Sequence, residues 1–489
     1  MNLAWQRPPD RPRPGGITFT MEEPVTTNYD TTAQPGAIPE QAIMDVAVRG
    51  MLPRADGSWG IADVLVAGGI IQATSQPGAF HARRTIDMGT MYLLPGMVDA
   101  HVHSLSHDGE GIDAATRAAA SGGVTTIVEM PYDLAGPIST VDRFLRKAEL
   151  AEREAHIDVA LLGTALPDGG WRSVDQLVDA GAAGFKVSIF HTDSQRFPRV
   201  PDGELLDVFT AAAANGAPVC VHAENNDIIK HLIDRYRPEG MDPLAHVRSR
   251  PEVSETLGVL TVLEIGRAAG AKVHMCHTSL PRSVDLVRAW AEDGMDVTLE
   301  TCPHYLLLDE DDMASQGGRL KINPPLRSAE ARAGLWDRVE QGSVDVISSD
   351  HAPWPIEFKT HANVFDNHSG APGVQTIYPM VLAEALRRSP AAFTAAIAAM
   401  TINPARRYGL DTVKGAIAPG YDADIVAFDP TAVWEVTAGQ MASNAGWTPY
   451  EGFQVPGRVA MTMSRGRVVY DGELRSHSGD GAVLTPVRR

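Results

Sequence analysis

Eight short runs rich in apolar and β-branched residues recur through the middle of this chain, separated by longer stretches of helical character. The runs are Gly96–His103, Val124–Met130, Ile157–Gly163, Ala183–Phe190, Pro218–Ala223, Lys272–Thr278, Asp296–Thr301 and Val344–Asp350. Between them lie Ala-, Leu- and charge-rich segments such as Asp113–Ala120, Leu205–Ala214 and Glu255–Ala269. A strand apolar along its whole length must be covered on both faces, as in parallel sheets flanked by helices. Eight such units predict an α/β fold with a (β/α)8 barrel over residues 96–410. A doubly wound open sheet is the alternative that counting runs leaves standing.

The flanks read differently. Met44–Val48 and Ile61–Val66 alternate in character, with Gly68-Gly69 as a turn, and Ala423–Phe428, Val459–Met463 and Arg467–Tyr470 repeat that pattern near the other end. This predicts a small β-sandwich domain formed from both termini, residues 41–95 plus 411–475. Residues 1–40 are rich in Pro, Thr, Gly and Arg without apolar periodicity and read as a disordered extension; residues 476–489 read as a C-terminal tail.

Charge narrows the partners. A net charge of −19 over 489 residues argues against nucleic acid and anionic membranes, which would repel it. No run approaches the roughly 18 apolar residues of a membrane span, and the first residues hold no apolar core of signal-peptide length. A cytoplasmic location is therefore expected. The three cysteines, Cys220, Cys276 and Cys302, lie in apolar stretches and read as buried free thiols. The alternative, thiolate metal ligands, lacks any Cys-x-x-Cys spacing.

The chemistry gathers at the ends of the runs. The first ends in Asp99-Ala100-His101-Val102-His103, the fifth in His222, the sixth in His277 and the eighth in Asp350. In a barrel these ends meet on the face where active sites lie. On a strand, His-x-His sends both imidazoles to one side, a geometry suited to holding one cation. A lone strand-end histidine is more often a hydrogen-bonding residue than a ligand; histidines and a carboxylate recurring at converging ends favour ligation. Lys186, inside the fourth run, is costly to bury charged. Burial is expected to depress its pKa and leave a neutral amine, able to take up carbon dioxide as a carbamate ligand.

At these residues the chain resembles the cyclic-amide branch of the amidohydrolase superfamily: allantoinases, hydantoinases, dihydropyrimidinases and dihydroorotases. The resemblance runs from about Ala42 to Tyr470. It is carried by Pro95–His103, Gly122–Thr126, Gly184–Lys186, Glu300–Tyr305, Asn323–Arg327, Ser349–Pro353, Asn403–Ala405 and Lys414–Asp424. It implies two divalent metal ions per subunit, with zinc well suited but manganese, iron and cobalt open. His101, His103 and Asp350 would hold one and His222 and His277 the other, with carboxylated Lys186 bridging them. Asp350 would serve as general acid–base. The resemblance also implies a homo-oligomer, tetramer or dimer.

Substrate is read from residues outside the metal cage. Dihydroorotases of this kind place an arginine two positions after the second histidine; here Ser104-Leu105-Ser106 follows His103, so the clamp for a substrate carboxylate is missing. Hydantoinases and dihydropyrimidinases place an oxyanion-supporting tyrosine five residues after the lysine, where this chain has His191, which can also donate a hydrogen bond. Glu129-Met130-Pro131 and Glu300–Tyr305 look most like allantoinases, whereas Lys321–Pro325 is closer to dihydroorotases. Ser104, Thr301, Asn323, Ser369 and Gly370 are expected to contact substrate. The expected reaction is opening of a small cyclic amide, allantoin to allantoate first. Hydantoin or dihydropyrimidine opening is the alternative, and dihydroorotase activity or a non-enzymatic scaffold role stands further off.

Overall fold

The computed structural model describes residues 42–54 and 57–488; the extension expected at residues 1–40 lies outside them. The chain starts with four strands, β1 (Met44–Pro53), β2 (Trp59–Ala67), β3 (Ile70–Ser75) and β4 (Ala82–Pro95). The barrel strands follow: β5 (Met97–Val102), β6 (Val124–Glu129), β7 (Asp158–Gly163), β8 (Gly184–Ser188), β9 (Pro218–His222), β10 (Lys272–Met275), β11 (Val297–Thr301) and β12 (Val346–Ile347). The chain then returns to the first sheet with β13 (Ile425–Glu435), β14 (Gln454–Ser464) and β15 (Arg467–Tyr470).

All eight apolar runs are barrel strands, hydrogen-bonded in sequential parallel order from β5 to β12. Closure is made beyond the last short strand, where the amide of His351 donates to the carbonyl of His101 (3.2 Å) and that of His103 donates back to His351 (2.8 Å). This circular pairing selects the barrel over the open sheet. The three helical segments read from sequence lie in the helices Gly111–Ser121, Asp202–Ala214 and Glu252–Ala269. Two crossover helices start on proline, at Pro281 and Pro303, whose fixed φ and missing N–H suit a first helical turn.

The terminal strands form one continuous sheet of order β15-β14-β13-β4-β1-β2-β3, so both ends of the chain do build a single β-domain. Strand β4 feeds straight into β5 through Gly96, where an added Cβ would lie 2.1 Å from the Thr125 hydroxyl, so no larger residue fits the junction. Lys414 locks the two parts together. Its buried ammonium reaches Asp158 of the barrel (2.6 Å), Asp422 (2.8 Å) and Asp424 (2.9 Å). The tail is stitched across the barrel floor: Leu484 donates to the Val159 carbonyl (2.8 Å) and Val487 to that of Gly409 (2.8 Å). Among the described residues no helix is long and apolar enough to cross a membrane.

Candidate active site

Five barrel strands deliver the expected ligands to one face. His101 is the penultimate residue of β5 and its carbonyl takes part in the barrel-closing contacts, and the β5–β6 register shifts between Asp99 and Val102, an irregularity of the kind that re-aims side chains. The Nε2 atoms of His101 and His103 stand 3.2 Å apart. Asp350 Oδ1 lies 3.3 Å from the first and 3.7 Å from the second. Lys186 Nζ is 3.4 Å from His101 Nε2. His222 Nδ1 lies 3.0 Å from His277 Nε2, and the His277 ring centroid is 5.4 Å from that of His101. The six candidate ligands therefore form one cluster.

Two of them sit on strained backbone. His277 and Asp350 have φ of 36° and 46°, a left-handed conformation that costs of order 1–3 kcal/mol and persists only where its surroundings impose it. In both cases the turn comes just after a barrel strand.

Two carboxylates without an expected role, Glu300 and Glu224, hold the imidazoles in place. Glu300 Oε1 lies 2.5 Å from His101 Nδ1 and accepts the His277 amide at 3.2 Å, while its Oε2 accepts the Ser348 hydroxyl at 2.7 Å. Glu224 Oε2 accepts His222 Nε2 at 2.7 Å and is clamped by Arg250. Burial pushes the Glu224 carboxyl up, but Arg250 and His222 outweigh it and bring it down to about 2. Their sequence signal was a carboxylate at the end of an apolar run.

These partners decide whether metal fits. An ionised carboxylate only accepts, so His101 must donate from Nδ1 and His222 from Nε2, leaving a lone pair on the opposite nitrogen of each ring. Burial holds His101 down to about 4, His222 below the usual histidine value, and His103 and His277 well below it, so all four rings are neutral at pH 7. Among the described residues, the buried Nδ1 atoms of His103 and His277 have no hydrogen-bond partner. The lone pairs so fixed on His101 Nε2 and His222 Nδ1 each lie within 3.2 Å of a second imidazole nitrogen, with the Asp350 carboxylate 3.3 Å from His101 Nε2, a donor set that suits a cation. The residues present fit a divalent-metal centre.

Lys186 corrects one expectation. Burial does lower its ammonium, but Cys276 and Glu300 act the other way and leave it above the usual lysine value. The charged carboxylate comes from a strand not adjacent in sequence, which a reading of the fourth run could not anticipate. A cation beside the amine would reverse that balance.

Above the ligands opens a cavity walled by Tyr132, Phe197 and Trp354, with Ser106 and Thr192, and on another side by Asn323, Ser369 and Gly370. The last three were expected at the substrate; the aromatic trio was not, and lies in loops with no periodic signal. The structure does not bring His191, Ser104 or Thr301 to this wall. His191 is turned by its amide donating to Asn226 Oδ1 (3.2 Å). The Ser104 amide is spent on the buried Glu129 carboxylate (3.2 Å), and the Thr301 hydroxyl donates to the Thr278 carbonyl (2.8 Å).

A closed barrel carrying a metal-competent cluster of imidazoles, a carboxylate and a buried lysine at its C-terminal face defines a hydrolase scaffold. Residues 92–469 match the amidohydrolase family, and the chain belongs to it, within the branch that hydrolyses cyclic amides. It is 34% identical over 433 residues to an L-hydantoinase of Paenarthrobacter aurescens, covering 87% of this chain and 94% of that protein. It is 36% identical over 442 residues to an allantoinase of Rubrobacter xylanophilus, covering 88% and 96%. The solved L-hydantoinase (dihydropyrimidinase) from Arthrobacter aurescens superposes with a TM-score of 0.87 at 34% identity, over 90% of this chain and all of that one.

Proposed function

We propose that this chain opens the ring of a 5-substituted hydantoin by hydrolysing its internal amide bond, with allantoin, the 5-ureido member of that class, as the leading substrate. The observation that carries the reading is the cavity itself. It joins the ligand cluster to a polar edge formed by Asn323, Ser369 and Gly370, and Lys186 is the one basic side chain other than histidine on its described wall. A neutral ring with an amide edge suits such a wall; a carboxylate-bearing ring such as dihydroorotate finds no clamp there.

His101, His103 and Asp350 would hold one divalent ion, His222 and His277 a second, and Lys186, as its carbamate, would ligate both. Bound there, the ions supply Lewis-acid polarisation of the scissile carbonyl and make water more acidic. The imidazole and carboxylate donors suit zinc. Asp350 would move the proton. As a carboxylate beside the ligand cluster, with Oδ1 3.3 Å from His101 Nε2 and 3.7 Å from His103 Nε2, it would take the proton from the attacking water and return it to the leaving nitrogen.

The aromatic trio favours a second reading, in which the 5-substituent is an aryl or alkyl group. Rates on allantoin, hydantoin, 5-benzylhydantoin, dihydrouracil and dihydroorotate separate the two. Ready opening of allantoin supports the lead; inert allantoin with rapid opening of 5-benzylhydantoin replaces it by the second reading. Activity on dihydroorotate alone would sink both.

A further inference from the structure

One wall of the cavity is assembled from two distant segments: residues 321–323, ending in Asn323, and the long loop 351–372, which carries Trp354, Ser369 and Gly370. Two lysines join them. Lys359 is wholly buried, and its Nζ donates to the carbonyls of Lys321 (2.8 Å), His368 (2.7 Å) and Gly370 (2.7 Å). Lys321 Nζ crosses in the other direction to the carbonyls of Phe365 (3.1 Å) and Asn367 (2.5 Å). The Gly370 amide then donates to the Lys321 carbonyl at 2.9 Å, and Trp354 Nε1 to the Ser369 carbonyl at 2.9 Å.

Lys359 Nζ meets three main-chain oxygens at once, and burial together with the neighbouring Lys321 pushes its ammonium well below the usual lysine value. Burying a cation against carbonyls alone is costly, and an apolar side chain of similar length would fill the same space without that cost. What the amino group adds is direction: it fixes where three carbonyls point and how far apart the two loop segments lie. Gly370 shows how tight that setting is. Its φ is +118°, and an added Cβ would stand 2.5 Å from the Ala352 Cβ.

We infer that Lys359 and Lys321 are positioning residues that set the gap between Asn323 and Ser369–Gly370, and thereby select the size of the ring the cavity accepts. This rests on the proposed function in taking that gap as the seat of the cyclic amide. Neither side chain touches the candidate metal ligands in the contacts described, so both act through the wall.

The test uses the metal-loaded full chain and Lys359→Met, which keeps the stem and removes the amino group. Amide hydrogen exchange of the peptide covering residues 366–372 is compared with that of strand β9, alongside metal content and kcat/KM on hydantoin and dihydrouracil. Exchange at Gly370 should accelerate at least about tenfold while β9 and metal content are unchanged. The kcat/KM ratio of the five- to the six-membered ring should move toward unity by about tenfold, through KM more than kcat. Unchanged Gly370 protection, or a ratio within twofold of the parent, overturns the inference. If Lys359→Met does not fold, Lys321→Met, which frees only the Phe365 and Asn367 carbonyls, carries the same readouts with a smaller expected shift, and no shift overturns it. A parent enzyme inert on every ring would refute the proposed function, while the exchange result would still decide whether the lysines hold the wall.

Discussion

The carboxylate of Glu300 lies 2.5 Å from His101 Nδ1 and, through the same oxygen, accepts the backbone amide of His277. One buried group thus orients candidate ligands of both metal positions. Replacing it should disturb both together. Glu300→Gln keeps the shape but removes the charge that fixes the His101 tautomer, and metal affinity should fall by about 10–100-fold. Competition with a chromogenic chelator measures this; unchanged affinity at both positions would show that Glu300 is only packing.

Lys186→Ala should lose the second metal and most activity, since the imidazoles of His222 and His277 alone make a poor site. Short carboxylic acids such as propionate should restore part of the rate by supplying the missing oxygen ligand. Turnover equal to that of the parent would exclude the bridging role.

Asp350→Asn separates chemistry from folding. Asparagine tolerates the left-handed backbone at this position, so the thermal midpoint should stay within a few degrees. Turnover should drop by about 10²–10⁴, the usual scale for losing a general acid–base. A variant that keeps more than a tenth of the parent rate would remove Asp350 from that role.

Lys414 ties the barrel to the terminal sheet, and removing its charge takes a cation from three carboxylates, of which Asp158 keeps Arg465 at 3.1 Å. Lys414→Met should destabilise by about 3–5 kcal/mol, the scale for breaking a buried ion cluster. Burial lowers this ammonium, but Asp424, Asp158 and Asp422 outweigh it and raise it above the usual lysine value of 10.5. A folded pKa above the unfolded one means the contribution is complete below about pH 10.5 and is lost as pH climbs toward the folded value. The difference in thermal midpoint between parent and variant should be level from pH 7 to 9.5 and shrink at higher pH; a difference that shrinks between pH 7 and 9 would contradict this.

How far sequence could carry the reading depended on where each signal was stored. The barrel strands were legible because burial on both faces writes an unbroken apolar run, as in Pro218–His222, and the ligand ends were legible because His101 and His103 repeat at strand period. Tyr132, Phe197 and Trp354 were not, since they meet over the cavity only after three separate loops have folded. His191 illustrates the converse: counting residues from Lys186 located the position, but a backbone contact to Asn226 decides which way the loop runs. Lys359 sits between Phe358 and Thr360 in a segment that reads as ordinary surface, and nothing local announces that it is wholly buried.

The left-handed backbone at His277 and Asp350 also bears on how such a chain would change over generations. Outside glycine, the side chains that tolerate this conformation best are Asn, Asp and His, and two of those three are common metal ligands. Fold and chemistry therefore favour overlapping letters at these two positions. A descendant that had abandoned catalysis would still feel the backbone's preference there, whereas His101, His103 and Lys186 carry no positive φ to restrain their drift. In judging whether a divergent copy is still an enzyme, those three positions are the more telling record.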